Sequence, residues 1–192
     1  MPKAADQTIK QKTATAVLSL LTDCAWHEIT LPLLAKKSKQ PIAQLEKLLD
    51  SKEEILPLIN DQIDQLTLQA TPEAEEGISL TELLFDILMT RFEVMEPYRF
   101  GLTALADEAR RTPEIAYPLY KAHHKSMSLY LTHAGDCPTG LAHNLHTALL
   151  VGTYYLVFIK WCRDTSPDLS RTMASLNRAL QTLERIGLKK WD

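Results

Sequence analysis

With 192 residues, 45% of them apolar, the chain can bury a substantial core, either as one large domain or as a small head on a larger body. That composition excludes wholesale disorder, and a net charge of −3 excludes a globally basic nucleic-acid binder, so any such role must rest on local charge. Three widely spaced cysteines (Cys24, Cys137, Cys162) give no disulfide framework, and the N-terminus lacks an apolar signal core. Both favour a cytoplasmic setting. The longest apolar stretch, residues 148–159, is broken by Gly152 and Thr153 and falls short of the roughly 20 residues a membrane span needs.

Glycine is sparse and alternating strand-like runs are few, so the reading is all-α with about nine helices. A first helix is expected over residues 7–24, with Leu18, Leu20 and Leu21 on its apolar side. Thr30 caps a short second helix with Pro32 in its first turn, and a break at 38–41 leads to a third carrying Ile42, Leu45 and Leu49 on one face. Ser51 and Glu54 have capping-box spacing before a fourth helix, in which Pro57 is expected to introduce a bend in the second turn. An acidic loop follows over 71–77. Ser79 and Glu82 then repeat the capping-box spacing, and the fifth helix ends near Glu96-Pro97. A sixth covers about 98–110, and Thr112-Pro113 opens a seventh, interrupted by Pro118. After a turn at 135–140, an eighth runs over 140–163, and the ninth starts after Thr165-Ser166-Pro167-Asp168 and stops at Gly187.

Three short helices with a tight break before the third make a helix-turn-helix unit. The segment 17–56 resembles the DNA-binding head of TetR-type regulators without a gap. Trp26 stands where that family places an aromatic under the unit, Leu34-Ala35 matches its Ile-Ala pair, and Ser51-Lys52-Glu53 matches its Ser-Lys-Glu join. The resemblance implies a head over 1–50, a ligand-binding and dimerisation body over 51–192, and a double-stranded DNA operator as partner. Residues 1–50 hold seven lysines against five acidic residues, a local balance of +2. The expected DNA contacts are Lys36, Lys37, Lys39, Gln40, Gln44, Lys47 and Lys52. Glutamine can read adenine edges, and lysine can meet phosphate or guanine. Two features depart from the family. Lys39-Gln40 replaces Gly-Val at the turn, and Glu46 stands where a phosphate-binding Tyr or His is usual.

The body is rich in large, soft side chains. Phe85, Met89, Phe92, Tyr98, Tyr120, His124, Met127 and Tyr155 are the expected lining for a small apolar ligand, a chamber that the resemblance also implies. Ordinary core packing is the alternative.

Leu169, Met173, Leu176, Leu180 and Leu183 recur at spacings of four and three, a narrow coiled-coil-like seam. The eighth helix is apolar on most sides, with Leu149, Gly152 and Leu156 among its candidate contacts. Together these residues are the expected homodimer interface, matching the four-helix arrangement of TetR-like dimers. The run 152–180 also resembles the lipid-binding accessory protein of ubiquinone biosynthesis, itself TetR-like. That resemblance implies an isoprenoid or lipid ligand and a protein partner instead of DNA.

His143 and His146 have the spacing of a metal pair, but no carboxylate or cysteine accompanies them at ligand spacing, and no metal is expected. No phosphate loop, nucleophile elbow or zinc-protease motif occurs, so neither an enzyme nor a cofactor is expected. The leading expectation is a ligand-responsive, DNA-binding homodimer; the alternative is a lipid carrier that keeps the fold without DNA recognition.

Overall fold

The structure, a computed structural model, describes residues 2–72, 77–135 and 140–186. Among these residues there are nine α-helices and no strand: α1 (Pro2–Leu20), α2 (Leu31–Ser38), α3 (Ile42–Leu48), α4 (Ile55–Ala70), α5 (Leu80–Met95), α6 (Arg99–Ala109), α7 (Pro113–His133), α8 (Leu141–Trp161) and α9 (Ser170–Arg185). The centres of the two expected loops (73–76 and 136–139, including Cys137) and the expected stop at Gly187 lie outside the described residues. No described helix is long and apolar enough to cross a membrane. The chain divides into two compact units, residues 1–65 with 95–122 and residues 66–94 with 123–192.

In the first unit, α1 stops four residues earlier than its apolar pattern suggested. The Thr22 hydroxyl bonds back to the Ser19 carbonyl at 2.9 Å, offering the backbone a local alternative to another helical turn. Thr30 caps α2 as expected, accepting from the Leu33 N–H at 3.4 Å. A 3₁₀ turn over Lys52–Glu54 delays α4 to Ile55, which corrects the reading of Pro57. It sits in the first turn, where an N–H would have no partner inside the helix, and so needs no bend. Ser51 makes no side-chain cap; the Glu54 carboxylate instead accepts from the Asp50 N–H at 2.9 Å. Val17, Leu21, Trp26, Ile29, Leu34, Leu45 and Leu56 form this unit's core. Gly101 joins α6 to the end of α1. Its N–H donates to the Leu21 carbonyl at 3.0 Å, and a Cβ there would lie 2.4 Å from that oxygen, so only glycine fits.

In the second unit, the expected capping box starts α5. The Ser79 N–H donates to Glu82 at 2.9 Å, and the Glu82 N–H returns to the Ser79 hydroxyl at 3.2 Å. The interior is aromatic. Phe92 stacks on Tyr154 with ring centroids 5.8 Å apart and tilts against Trp161 at 5.9 Å. Arg91 is fully buried, donating to the Tyr130 hydroxyl at 2.7 Å with its guanidinium 5.3 Å from the Tyr154 ring centre. Asp164 fixes the α8–α9 connection. Its carboxylate accepts from the Thr172 N–H and hydroxyl at 2.8 and 2.7 Å and from both donors of Ser166.

Candidate nucleic-acid interface

The recognition element follows from three local facts about the break between α2 and α3. First, α2 ends at Lys39 in the left-handed conformation, φ 55°, and the N–H groups of Lys39 and Gln40 both return to the Ala35 carbonyl. This closes the helix in the manner usually left to glycine. Second, Pro41 holds an extended backbone and α3 begins at the next residue. Third, Leu45 and Leu49, four apart, are buried in the head. At 3.6 residues per turn their burial turns Ala43, Gln44 and Lys47 outward, with Glu46 on the flank, and all four are exposed. Among the described residues, no hydrogen bond or ion pair engages the side chains of Gln44, Glu46 or Lys47. Lys36 and Lys37 are exposed in the last turn of α2, and Lys39 is exposed at its cap.

Two of the seven expected contacts need correction. Gln40 is buried, only 9% exposed. Its amide nitrogen donates to the Ile9 carbonyl at 3.3 Å, and its amide oxygen faces the Thr13 hydroxyl at 3.3 Å. It is a polar core residue of the head, held inward because the left-handed Lys39 turns the chain back onto α1. Lys52 is half-buried, with its ammonium 4.6 Å from the centre of the Trp26 ring and hydrogen-bonded to the Trp26 carbonyl. Burial holds its pKa below the usual lysine value, against the opposing pull of Glu108 and Glu53. Its stem supports the buried tryptophan instead of standing free.

The expected pocket residues are distributed unevenly. Tyr98 and Tyr120 fall in the first unit; Phe85, Met89, Phe92, His124, Met127 and Tyr155 fall in the second. Met89, Phe92 and Met127 are buried, Phe85, Tyr98, His124 and Tyr155 are half-buried, and Tyr120 is 47% exposed. Phe92 serves in the ring cluster with Tyr154 and Trp161, and Tyr120 is an exposed side chain, a correction to its place in a lining. Tyr155 is tied to His123, its hydroxyl 2.9 Å from Nδ1. Burial, with the Arg91 charge adding to it, pushes the His123 pKa down to about 3, so the ring is neutral at ordinary pH. A cleft of about 490 Å³ does exist in the first unit, lined by Gln7, Lys10, Gln11, Asp61, Gln62 and Gln65 among others. It includes none of the expected pocket residues, and its amide and charged walls suit a polar occupant, not an apolar one.

The expected interface also divides. Leu176, Leu180 and Leu183 are buried, and so is Leu169, whose left-handed φ of 54° ends the turn before α9. This corrects the α9 seam: its four-and-three pattern is the face α9 turns into its own chain. Of that set only Met173 is exposed. On α8, Leu149 is half-buried, Gly152 is exposed and Leu156 is 66% exposed. Gly152 and Leu156, but not Leu149, belong to a longer exposed stripe, the rest of which lies outside the expected interface: Leu141 (86%), Leu145 (58%), Ala148, Gly152, Leu156 and Ile159. Its spacings of four, three, four, four and three were visible in the sequence. The surrounding apolar residues of α8 hid them. Among the described residues, no cluster of three or more His, Cys, Asp or Glu side chains could hold a metal ion.

No protein-family model and no curated protein matches the chain in sequence. Solved structures do match its fold. A TetR transcriptional regulator from Nitrosomonas europaea superposes with a TM-score of 0.71 at 15% identity, covering 92% of this chain and 98% of that one. A TetR transcriptional regulator from a Rhodococcus species gives 0.71 at 17% identity, covering 98% and 100%. Salmonella enterica GusR gives 0.58 at 18%, covering 93% and 96%. The chain therefore has the TetR-like fold over nearly its whole length, as the helix-turn-helix resemblance implied.

Proposed function

We propose that this chain is a ligand-responsive, DNA-binding transcriptional regulator of TetR type, with residues 1–50 as the head and 51–192 as the body, acting as a homodimer in the cytoplasm. The observation that carries the reading is the outward ridge Ala43, Gln44 and Lys47 on a TetR-like fold, flanked by exposed Lys36, Lys37 and Lys39. Four exposed cations on one small head can neutralise phosphates on either side of a groove-reading helix. Homodimerisation is supported by the α8 stripe. It runs from Leu141 to Ile159, roughly 27 Å at 1.5 Å per residue, and leaves large apolar side chains uncovered. A two-fold pairing of α8 with its copy would cover it, with Met173 at the edge. Two heads must then stand about 34–36 Å apart to enter successive major grooves.

A small apolar ligand taken up by the body would regulate by binding one head separation better than another. The candidates for contacting it in the second unit are Phe85, Met89, Met127 and Tyr155. The test is duplex binding by the full chain across salt concentrations. Lys47→Ala should weaken binding and flatten its dependence on salt by about one unit of logarithmic slope. Duplex binding that ignores both salt and Lys47 defeats the reading.

One arrangement favours the lipid-carrier alternative: Gln40 and Lys52 are engaged within the first unit, and Glu46 stands exposed beside the ridge. Native mass spectrometry of the purified protein separates the two. A stoichiometric isoprenoid or lipid, with no duplex binding at low salt, supports the carrier.

A further inference from the structure

The exposed residues of α3 differ in what they can exchange with a base edge, and the differences are complementary. Gln44 carries a donor and an acceptor, Glu46 accepts only, Lys47 donates only and Ala43 offers a methyl. The major groove presents acceptors on guanine and thymine, a donor on cytosine, a donor beside an acceptor on adenine, and a methyl on thymine. Resting on the DNA-binding reading above, we infer that this head selects a half-site with an adenine read by Gln44, its neighbouring thymine methyl against Ala43, and a cytosine amino group at Glu46.

Position and chemistry support each assignment. Ala43 and Gln44 lie in the first turn of α3, the end of a recognition helix that meets base edges. Gln44 has both amide groups free of described partners and can pair with adenine N6 and N7 together. Glu46 is the informative residue. A carboxylate on the flank of the ridge repels phosphates and the acceptor edges of guanine and thymine, so it disfavours sequences that present acceptors at that position. A base amino group is its complement, and cytosine N4 is the one that a carboxylate side chain accepts from in the major groove. Glu46 thus acts by rejection as much as by attraction. Lys47 is one residue on and points about 100° away, free to meet a phosphate or guanine. Gln40, the other glutamine at this helix, is withdrawn from reading by its bonds to Ile9 and Thr13.

The experiment is selection of binding sites from random duplexes by the full chain, repeated with Gln44→Ala and with Glu46→Gln. Both side chains are exposed, and a thermal melt of each variant checks that the fold survives. The native protein should enrich a half-site holding both positions. Gln44→Ala should erase the adenine preference, a loss of about 5- to 150-fold against the wrong base, and leave the cytosine position intact. Glu46→Gln should convert the cytosine preference to adenine. Enriched sites that are identical for all three proteins overturn the inference and leave the DNA-binding reading standing. Failure of the native protein to enrich any duplex defeats that reading and this inference with it.

Discussion

The head and the closing helix pair show opposite relations between pattern and surface. In the head, α3 and its C-cap bury Leu45 and Leu49, leave Leu48 half-buried, and turn the other positions outside, including Ile42, which was expected on the buried face and is 41% exposed. In the closing pair, α9 has one apolar face and spends it on its own chain, whereas α8 is apolar nearly all round and cannot bury every side. Its surplus emerges as the stripe from Leu141 to Ile159. A single apolar face therefore predicts core, and an excess of apolar faces predicts a surface that needs a partner. The seam-like spacing on α9 looked like the interface because periodicity identifies a face without saying what covers it.

Paired substitutions can break this contrast, and the largest effect is expected on α9. Leu176→Ala, at a fully buried position, should cost about 2–5 kcal/mol in denaturant unfolding by removing packed side chain and leaving a cavity. If the proposed homodimer pairs through α8, Leu156→Glu should do the reverse, leaving helical content intact while sedimentation shifts from dimer to monomer. If Leu156→Glu unfolds the chain and Leu176→Ala merely dissociates it, the assignment of the two faces is inverted.

Asp164 comes next. Burial alone would raise its pKa, but hydrogen bonds from Ser166 and Thr172 hold it well below the ordinary carboxylate range. A depressed folded-state pKa contributes stability that is complete above the unfolded value, about 4, and is lost as pH falls through the folded one. Asp164→Ala should cost roughly 3 kcal/mol at neutral pH, because it strips the Thr172 N–H and hydroxyl of their shared acceptor. Asp164→Asn should also flatten the acid limb of a stability-against-pH curve. An unchanged acid limb would show that other carboxylates set it.

These effects also mark where the sequence was legible. The helix order, the Thr30 cap, the Ser79–Glu82 box and the start of α7 at Pro113 were all readable, because each is fixed by residues within one turn. The exposed ridge was readable at Gln44 and Lys47 for the same reason. Gln40 was not, since its burial depends on Ile9 and Thr13, some thirty residues away. Lys52 misled similarly, because its partner Trp26 belongs to another turn. Local chemistry sets where elements begin; tertiary packing sets which polar side chains they keep for themselves.

Gln40 and Gln44 turn that distinction into a measurement of intermediate size. Gln40→Ala should cost about 1–3 kcal/mol of stability and leave base preference alone, because it removes a buried, bonded amide. Gln44→Ala should leave stability within about 0.5 kcal/mol and change base preference alone. A loss of base preference in Gln40→Ala without destabilisation would mean that its amide faces the duplex.

The smallest effect belongs to Lys39, where one residue serves both the fold and the surface. Its left-handed backbone strains a side chain with a Cβ, and glycine relieves that strain at some cost in chain entropy, so Lys39→Gly should gain about 0.5–1 kcal/mol. The same change removes an exposed cation at the end of α2 and should lower the salt slope of duplex binding by about one unit. The two readouts move in opposite senses, more stable and less tightly bound, which neither a general loosening nor a general tightening of the head can imitate. A variant that is stabilised while its salt slope stays fixed would keep Lys39 as a helix stop and remove it from the interface, leaving Lys36, Lys37 and Lys47 as the cations that meet phosphate.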